Sequence, residues 1–131
     1  MPIYALTLDL KDDRRLMEEY LEHHRQVWPE VLEALAGTGV EDIKIYLAGR
    51  RLFMIMTARE GFDPQESFAA YRKNPVAERW DELMRTYQQK LPEAEPDQWW
   101  MPLTPIFDFT AQLETLRLTP DGSDVSSEGS S

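Results

Sequence analysis

Val40-Glu41-Asp42-Ile43-Lys44-Ile45-Tyr46-Leu47-Ala48-Gly49-Arg50-Arg51-Leu52-Phe53-Met54-Ile55-Met56-Thr57-Ala58 reads as two strands, residues 40–47 and 52–58. The hairpin-length connection Ala48-Gly49-Arg50-Arg51 joins them. In the second strand Leu52, Met54 and Met56 point one way and Phe53 and Ile55 the other, so both faces read as buried. A small sheet with helices on one face leaves the other bare. An apolar bare face predicts a homodimer formed through the sheet.

Working outward, residues 3–10 alternate as a strand, with Tyr4, Leu6, Leu8 and Leu10 on one face and Ile3, Ala5, Thr7 and Asp9 on the other. A helix follows, capped by Asp12 or Asp13. Its apolar positions Met17, Tyr20, Leu21, Val27, Trp28, Val31, Leu32 and Leu35 recur at three- and four-residue spacing up to Gly37. Pro29 lacks an amide proton and would clash with the carbonyl of Arg25, so the helix should kink or restart there. Asp63-Pro64 opens a short helix with Phe68 and Tyr71. Asn74-Pro75 then starts a second main helix, predicted to reach about Lys90, with Val76, Trp80, Leu83, Met84 and Tyr87 as its apolar stripe. Residues 101–109 read as a last strand, kept at an edge by Pro102 and Pro105. The order strand, helix, strand, strand, helix, strand is that of an α+β, ferredoxin-like split β-α-β sandwich.

The 131 residues, 42% apolar, suit one domain over residues 1–118. From Thr119 the chain is polar, acidic and Ser-rich, and residues 119–131 are expected to be a disordered tail. A formal charge of −10 argues against nucleic acid or an anionic membrane as partner and is compatible with a neutral small molecule. There is no run of membrane-spanning length and no signal-peptide pattern, so a cytoplasmic protein is expected. With no cysteine there is no thiolate nucleophile and no disulfide framework.

Both histidines, His23 and His24, sit beside Trp28 in the run His23-His24-Arg25-Gln26-Val27-Trp28-Pro29-Glu30. Histidine is the side chain suited to giving and taking protons near neutral pH, which makes this run the first place to look for acid–base chemistry. On a continuous helix Tyr20, His24 and Trp28 share the apolar face, so His24 should point inward. His23, next to Glu19 and Glu22, should face solvent. Spacing leaves two readings of His24: a hydrogen-bonded core histidine, or a catalytic or ligand-binding one. The aromatic residues, four tryptophans and five tyrosines among them, likewise either fill a small core or form platforms for the C–H face of a sugar. Trp99 or Trp100, in a polar loop, could close over a pocket. Adjacent histidines diverge on a helix and no ligand spacing accompanies them, so no metal site is expected. Asp9 and Asp42, near polar ends of the sheet, are candidates for holding a hydroxyl.

The chain resembles the L-rhamnose mutarotase family, and within it the branch acting on L-fucose. The likeness spans roughly residues 3–110. It is carried by Leu8-Asp9-Leu10-Lys11-Asp12-Asp13, by Tyr20 and His24 ahead of Val27-Trp28-Pro29-Glu30, by Asp42 to Tyr46, and by Arg51-Leu52-Phe53-Met54-Ile55-Met56. Asn74-Pro75, Trp80 to Met84, Leu91-Pro92 and Ile106-Phe107 complete it. The resemblance implies a dimeric α+β barrel and exchange of the α and β anomers of a 6-deoxyhexose by acid–base ring opening and closure, without cofactor or metal. It makes His24 the proton donor, Tyr20 a substrate-binding residue and Trp80 the match of the first of two adjacent tryptophans; Trp28, Tyr46 and Asp81 complete the substrate-binding candidates. Asp81 stands where the rhamnose type has a second tryptophan, and Ile43 where it has a tyrosine, so L-fucose is favoured over L-rhamnose. Two other readings accompany this one: a non-catalytic sugar- or metabolite-binding regulatory module, and a cofactor-free monooxygenase on the same fold.

Overall fold

The computed structural model describes residues 2–118. Strands β1 (Ile3–Leu10), β2 (Val40–Ala48) and β3 (Arg51–Ala58) form the body of an antiparallel sheet, completed by the two-residue strands β4 (Gln88–Gln89) and β5 (Met101–Pro102). The strand order is β2-β3-β1-β4, with β5 also paired to β1. This is the sheet order of the ferredoxin-like split β-α-β layout, so the α+β class read from the sequence is the observed one.

Register explains which side chains share a face. Leu6 pairs with Met54 and Leu8 with Leu52, while Ile43 pairs with Met56 and Ile45 with Met54. These residues form the face that the helices cover. Leu8, Leu10 and Leu52 there are at most 1% exposed. Each such burial contributes about 1.5–3 kcal/mol relative to an exposed side chain. The opposite face carries Ala5, Phe53, Ile55 and Tyr46. It also carries Asp9, whose carboxylate accepts a bidentate pair of hydrogen bonds from Arg51 at 2.7 and 3.1 Å.

The helices are α1 (Arg14–Arg25), α2 (Pro29–Gly37), α3 (Pro64–Arg72), α4 (Pro75–Arg85) and α5 (Phe109–Leu118). Asp13 caps α1 by accepting from the amide of Leu16 at 3.1 Å, and Asn74 caps α4 by accepting from Val76 and Ala77. Three boundaries differ from the sequence reading. The first long helix restarts rather than kinks: a residue before proline is pushed out of the helical region, so Trp28 takes φ −55°, ψ 130° and Pro29 opens α2. The helix expected to reach Lys90 stops at Arg85, because Gln88 and Gln89 are drawn into pairing with Leu10 and Asp9. The expected strand 101–109 is reduced to Met101–Pro102, and α5, which the periodicity did not reveal, follows with Asp108 accepting from the amide of Ala111 at 2.9 Å.

Gly39 closes α2 onto β2 with φ +104°, and a Cβ placed there would meet Arg59 Nε at 2.9 Å. Only glycine fits this junction without strain. Among the described residues no helix is long and apolar enough to cross a membrane. The tail expected over 119–131 lies outside the described residues.

Candidate active site

Between the helix-covered face of the sheet and helices α1 to α4 lies a cavity of about 650 Å³. That volume is within the range of small-molecule sites, about 300–1,000 Å³. Its apolar side comes from the sheet and α2: Leu6, Ile43, Met54, Val31 and Leu35 among others. Tyr20 and His24 of α1, Trp80, Asp81 and Arg85 of α4, Tyr71 and Arg72 of α3, and Gln88 of β4 supply its polar groups and aromatic edge. Trp99 and Trp100 from the proline-rich loop lie at its wall. The Lys90 amine braces the loop, sitting 5.0 Å from the Trp99 ring centroid and donating to the Pro96 carbonyl.

Helix α1 aligns Tyr20 and His24 one turn apart, and their rings stack at 4.4 Å between centroids. His24 Nδ1 lies 3.0 Å from the Tyr20 carbonyl oxygen. A carbonyl only accepts, so Nδ1 carries the proton and Nε2 is the nitrogen left to exchange one with a bound molecule. Burial holds the His24 pKa below the ordinary imidazole value; the bond to the Tyr20 carbonyl opposes the shift and nearby His23 adds to it. The Tyr20 hydroxyl accepts from Gln88 Nε2 at 3.4 Å. Burial pushes that hydroxyl up to about 12, so it stays protonated and able to donate.

Trp80, 6% exposed, forms the floor under His24 with centroids 5.7 Å apart, and Trp28 packs edge-on against Trp80 at 5.0 Å. Asp81 follows Trp80 on α4 and faces the same cavity. Burial raises its carboxyl to about 6, with Arg85 and Arg72 opposing the shift and Glu78 reinforcing it.

The structure thus brings together Tyr20, His24, Trp80 and Asp81. Two candidates take other positions. Tyr46 pairs with Phe53 on the opposite face of the sheet and is 56% exposed, because strand alternation sends it away from Ile43 and Ile45. Trp28 backs Trp80 and lines a surface depression with Pro29, Glu30 and Arg79 rather than the cavity, a consequence of the helix restart. His23, expected to face solvent, is half-buried. Tyr87 donates to Glu19 at 3.1 Å, which leaves its oxygen to accept from His23 Nε2 at 3.2 Å. Asp9 and Asp42 are held by Arg51 and Lys44.

Sequence reasoning missed Gln88, Tyr71, Arg72 and Arg85 as site residues. Arg85, four residues beyond Asp81 on one helix face, was legible from spacing. Gln88 was hidden by the overlong reading of α4, and Tyr71 and Arg72 reach the cavity only through the packing of α3 against α4.

A model of the L-rhamnose mutarotase family matches residues 3–109. The chain is 45% identical over 110 residues to a UPF0734 protein of Dictyostelium discoideum, covering 81% of this chain and 88% of that one. It is 37% identical to the L-fucose mutarotase of Xanthomonas campestris (76% and 82% covered) and 33% identical to the L-rhamnose mutarotase of Jannaschia sp. (82% and 97% covered). In structure it is similar to an L-rhamnose mutarotase from Formosa agariphila, with a TM-score of 0.61 at 23% identity and 82% and 98% of the two chains covered. A tetracenomycin F2 cyclase from Streptomyces glaucescens shares the fold at a TM-score of 0.54 and 12% identity, covering 82% and 98%. The chain belongs to the L-rhamnose mutarotase family, isomerases that act on sugar anomers.

Proposed function

We propose that this protein exchanges the α and β anomers of a 6-deoxyhexose, with L-fucose favoured over L-rhamnose, and that His24 is the proton donor. The observation carrying this reading is the His24 geometry: an imidazole with Nδ1 tied to a backbone carbonyl and Nε2 without a partner among the described residues, on the wall of a small-molecule cavity. Ring opening needs a proton delivered to the pyranose ring oxygen as the C1–O5 bond breaks, and removal of the anomeric hydroxyl proton as C1=O1 forms. Reclosure on the other carbonyl face reverses both transfers. No redox change occurs. A positioned acid–base group contributes roughly 10²–10⁴-fold, a fitting scale for a reaction that already proceeds slowly in water.

Tyr20 and Trp80 are the substrate-binding residues in this reading, the first donating to a sugar hydroxyl and the second offering its face to ring C–H groups. The apolar wall of Leu6, Ile43 and Met54 suits the methyl group of a 6-deoxy sugar. Ile43 and Asp81 support fucose, since both depart from the aromatic residues of the rhamnose type: Ile43 extends the apolar wall, and Asp81 puts a carboxylate where that type has a second ring. The 37% identity to a relative named L-fucose mutarotase supports the same choice.

A homodimer through the outer sheet face accompanies this reading. Phe53 and Ile55 on that face are half-buried, and Ile3 at its edge is 67% exposed. Burying such a patch against a second copy removes its contact with water. Sedimentation of the protein as a monomer at micromolar concentration would refute the dimer.

The test of function is saturation-transfer NMR between the anomeric protons of L-fucose and, separately, L-rhamnose with catalytic amounts of protein. Faster enzyme-dependent exchange on L-fucose is the expected result. His24→Ala should lower it by roughly 10²–10⁴-fold. Wild-type exchange in that variant would remove His24 from the mechanism.

A further inference from the structure

We propose that Asp81 is the second proton-transfer group of the site, the base that accepts the anomeric hydroxyl proton while His24 protonates the ring oxygen. This deepens the mutarotase reading and rests on it. Among the described residues the Asp81 carboxylate enters no hydrogen bond and no ion pair, although it is half-buried. Arg85, which could have neutralised it, reaches Glu78 instead at 3.9 Å. A carboxylate kept for stability would cap a helix, pair with a cation or face bulk water, as Asp13, Asp9 and Asp42 do. Asp81 faces the cavity that His24 also faces, from a different helix.

The surroundings suit a base. From α4 it is faced by Arg85 and Glu78, from α3 by Arg72 and the Tyr71 hydroxyl, and from α1 the cavity presents His24. Desolvation raises the carboxyl to about 6 and makes it a stronger proton acceptor than an exposed aspartate, still ionised in most molecules at neutral pH. His24 is lowered from above. The two environments push the groups toward one another, the imidazole down and the carboxyl up.

The step balances. Asp81 takes the O1 proton, the O1–H electrons form C1=O1, the C1–O5 bond breaks with its pair going to O5, and His24 imidazolium gives O5 its proton. The result is the open-chain aldehyde, neutral His24 and protonated Asp81. Rotation about C1–C2 and the reverse transfers give the other anomer and restore both groups.

The experiment is the pH dependence of kcat/KM for L-fucose anomer exchange in wild type, Asp81→Asn and Asp81→Ala. Wild type should give a bell. Asp81→Asn should be roughly 10²–10⁴-fold slower, lose the acid-side limb and fall monotonically as pH rises through His24. Added formate should restore part of the rate in Asp81→Ala, which a residue serving only to shape the cavity would not permit. An intact acid-side limb in Asp81→Asn, at any rate, overturns the proposal, as does a profile in that variant that rises with pH, which would make His24 the base. Even if neither variant folds, a wild-type profile without an acid-side limb overturns it. Absence of exchange by wild type on either sugar refutes the mutarotase reading and this proposal together, whereas exchange abolished by His24→Ala and untouched by Asp81→Asn refutes this proposal alone.

Discussion

Asp81→Asn should stabilise the fold while it damages turnover, and the size and pH dependence of that gain follow from the site. The carboxyl shifts from 3.8 to about 6 on folding. One pKa unit corresponds to about 1.4 kcal/mol, so the charged form opposes folding by at most about 3 kcal/mol at neutral pH. Water in the cavity screens part of this, leaving roughly 1–3 kcal/mol to be regained by a neutral amide of the same shape. The folded state binds this proton more tightly than the unfolded chain, so wild-type stability falls as pH rises from about 4 to about 6 and then levels. The variant has no such slope. Its advantage should be near zero below about pH 4 and complete above about pH 7, where it amounts to roughly 5–10 °C in Tm for a chain of this size. Thermal unfolding of both proteins at one fixed concentration across that range is the assay. A stability difference independent of pH, or a variant less stable than wild type at neutral pH, would refute the picture of a desolvated, unpaired carboxylate.

Gly39→Ala should destabilise by about 1–3 kcal/mol in urea unfolding, since the added Cβ meets Arg59 and Phe62 in a left-handed conformation. Asp13→Ala should cost about 1 kcal/mol through loss of the α1 cap and leave L-fucose exchange unaltered, so a large loss of activity would place the cap's influence in the site. Ile55→Glu, on the sheet face away from the cavity, should shift the protein toward monomer in sedimentation velocity; an unchanged dimer would move the interface elsewhere. Tyr20→Phe removes the hydroxyl that accepts from Gln88 and should raise KM for the sugar more than it lowers kcat, read by progress curves of anomer exchange.

The elements legible along the chain are those that local rules dictate. Alternation in residues 3–10 and 52–58, the caps Asp13 and Asn74, the break at Pro29 and the one-turn spacing of Tyr20 and His24 all follow from periods and backbone chemistry within a few residues. The remaining features depend on partners far along the chain, which folding alone brings together. Gln88 and Gln89 carry little strand preference and become β4 because β1 offers an unpaired edge beside them. Tyr46 was a plausible pocket residue until register with Phe53 fixed its face. His23, adjacent to two glutamates, read as solvated until Tyr87, more than sixty residues away, supplied a hydroxyl for its ring. Asp81 and His24 are 57 residues apart in sequence, and neither spacing nor composition places them at one cavity. Packing of α4 beside α1 over the same sheet face does, because each helix has to bury its own apolar stripe and that sheet face is the surface on which both can do so.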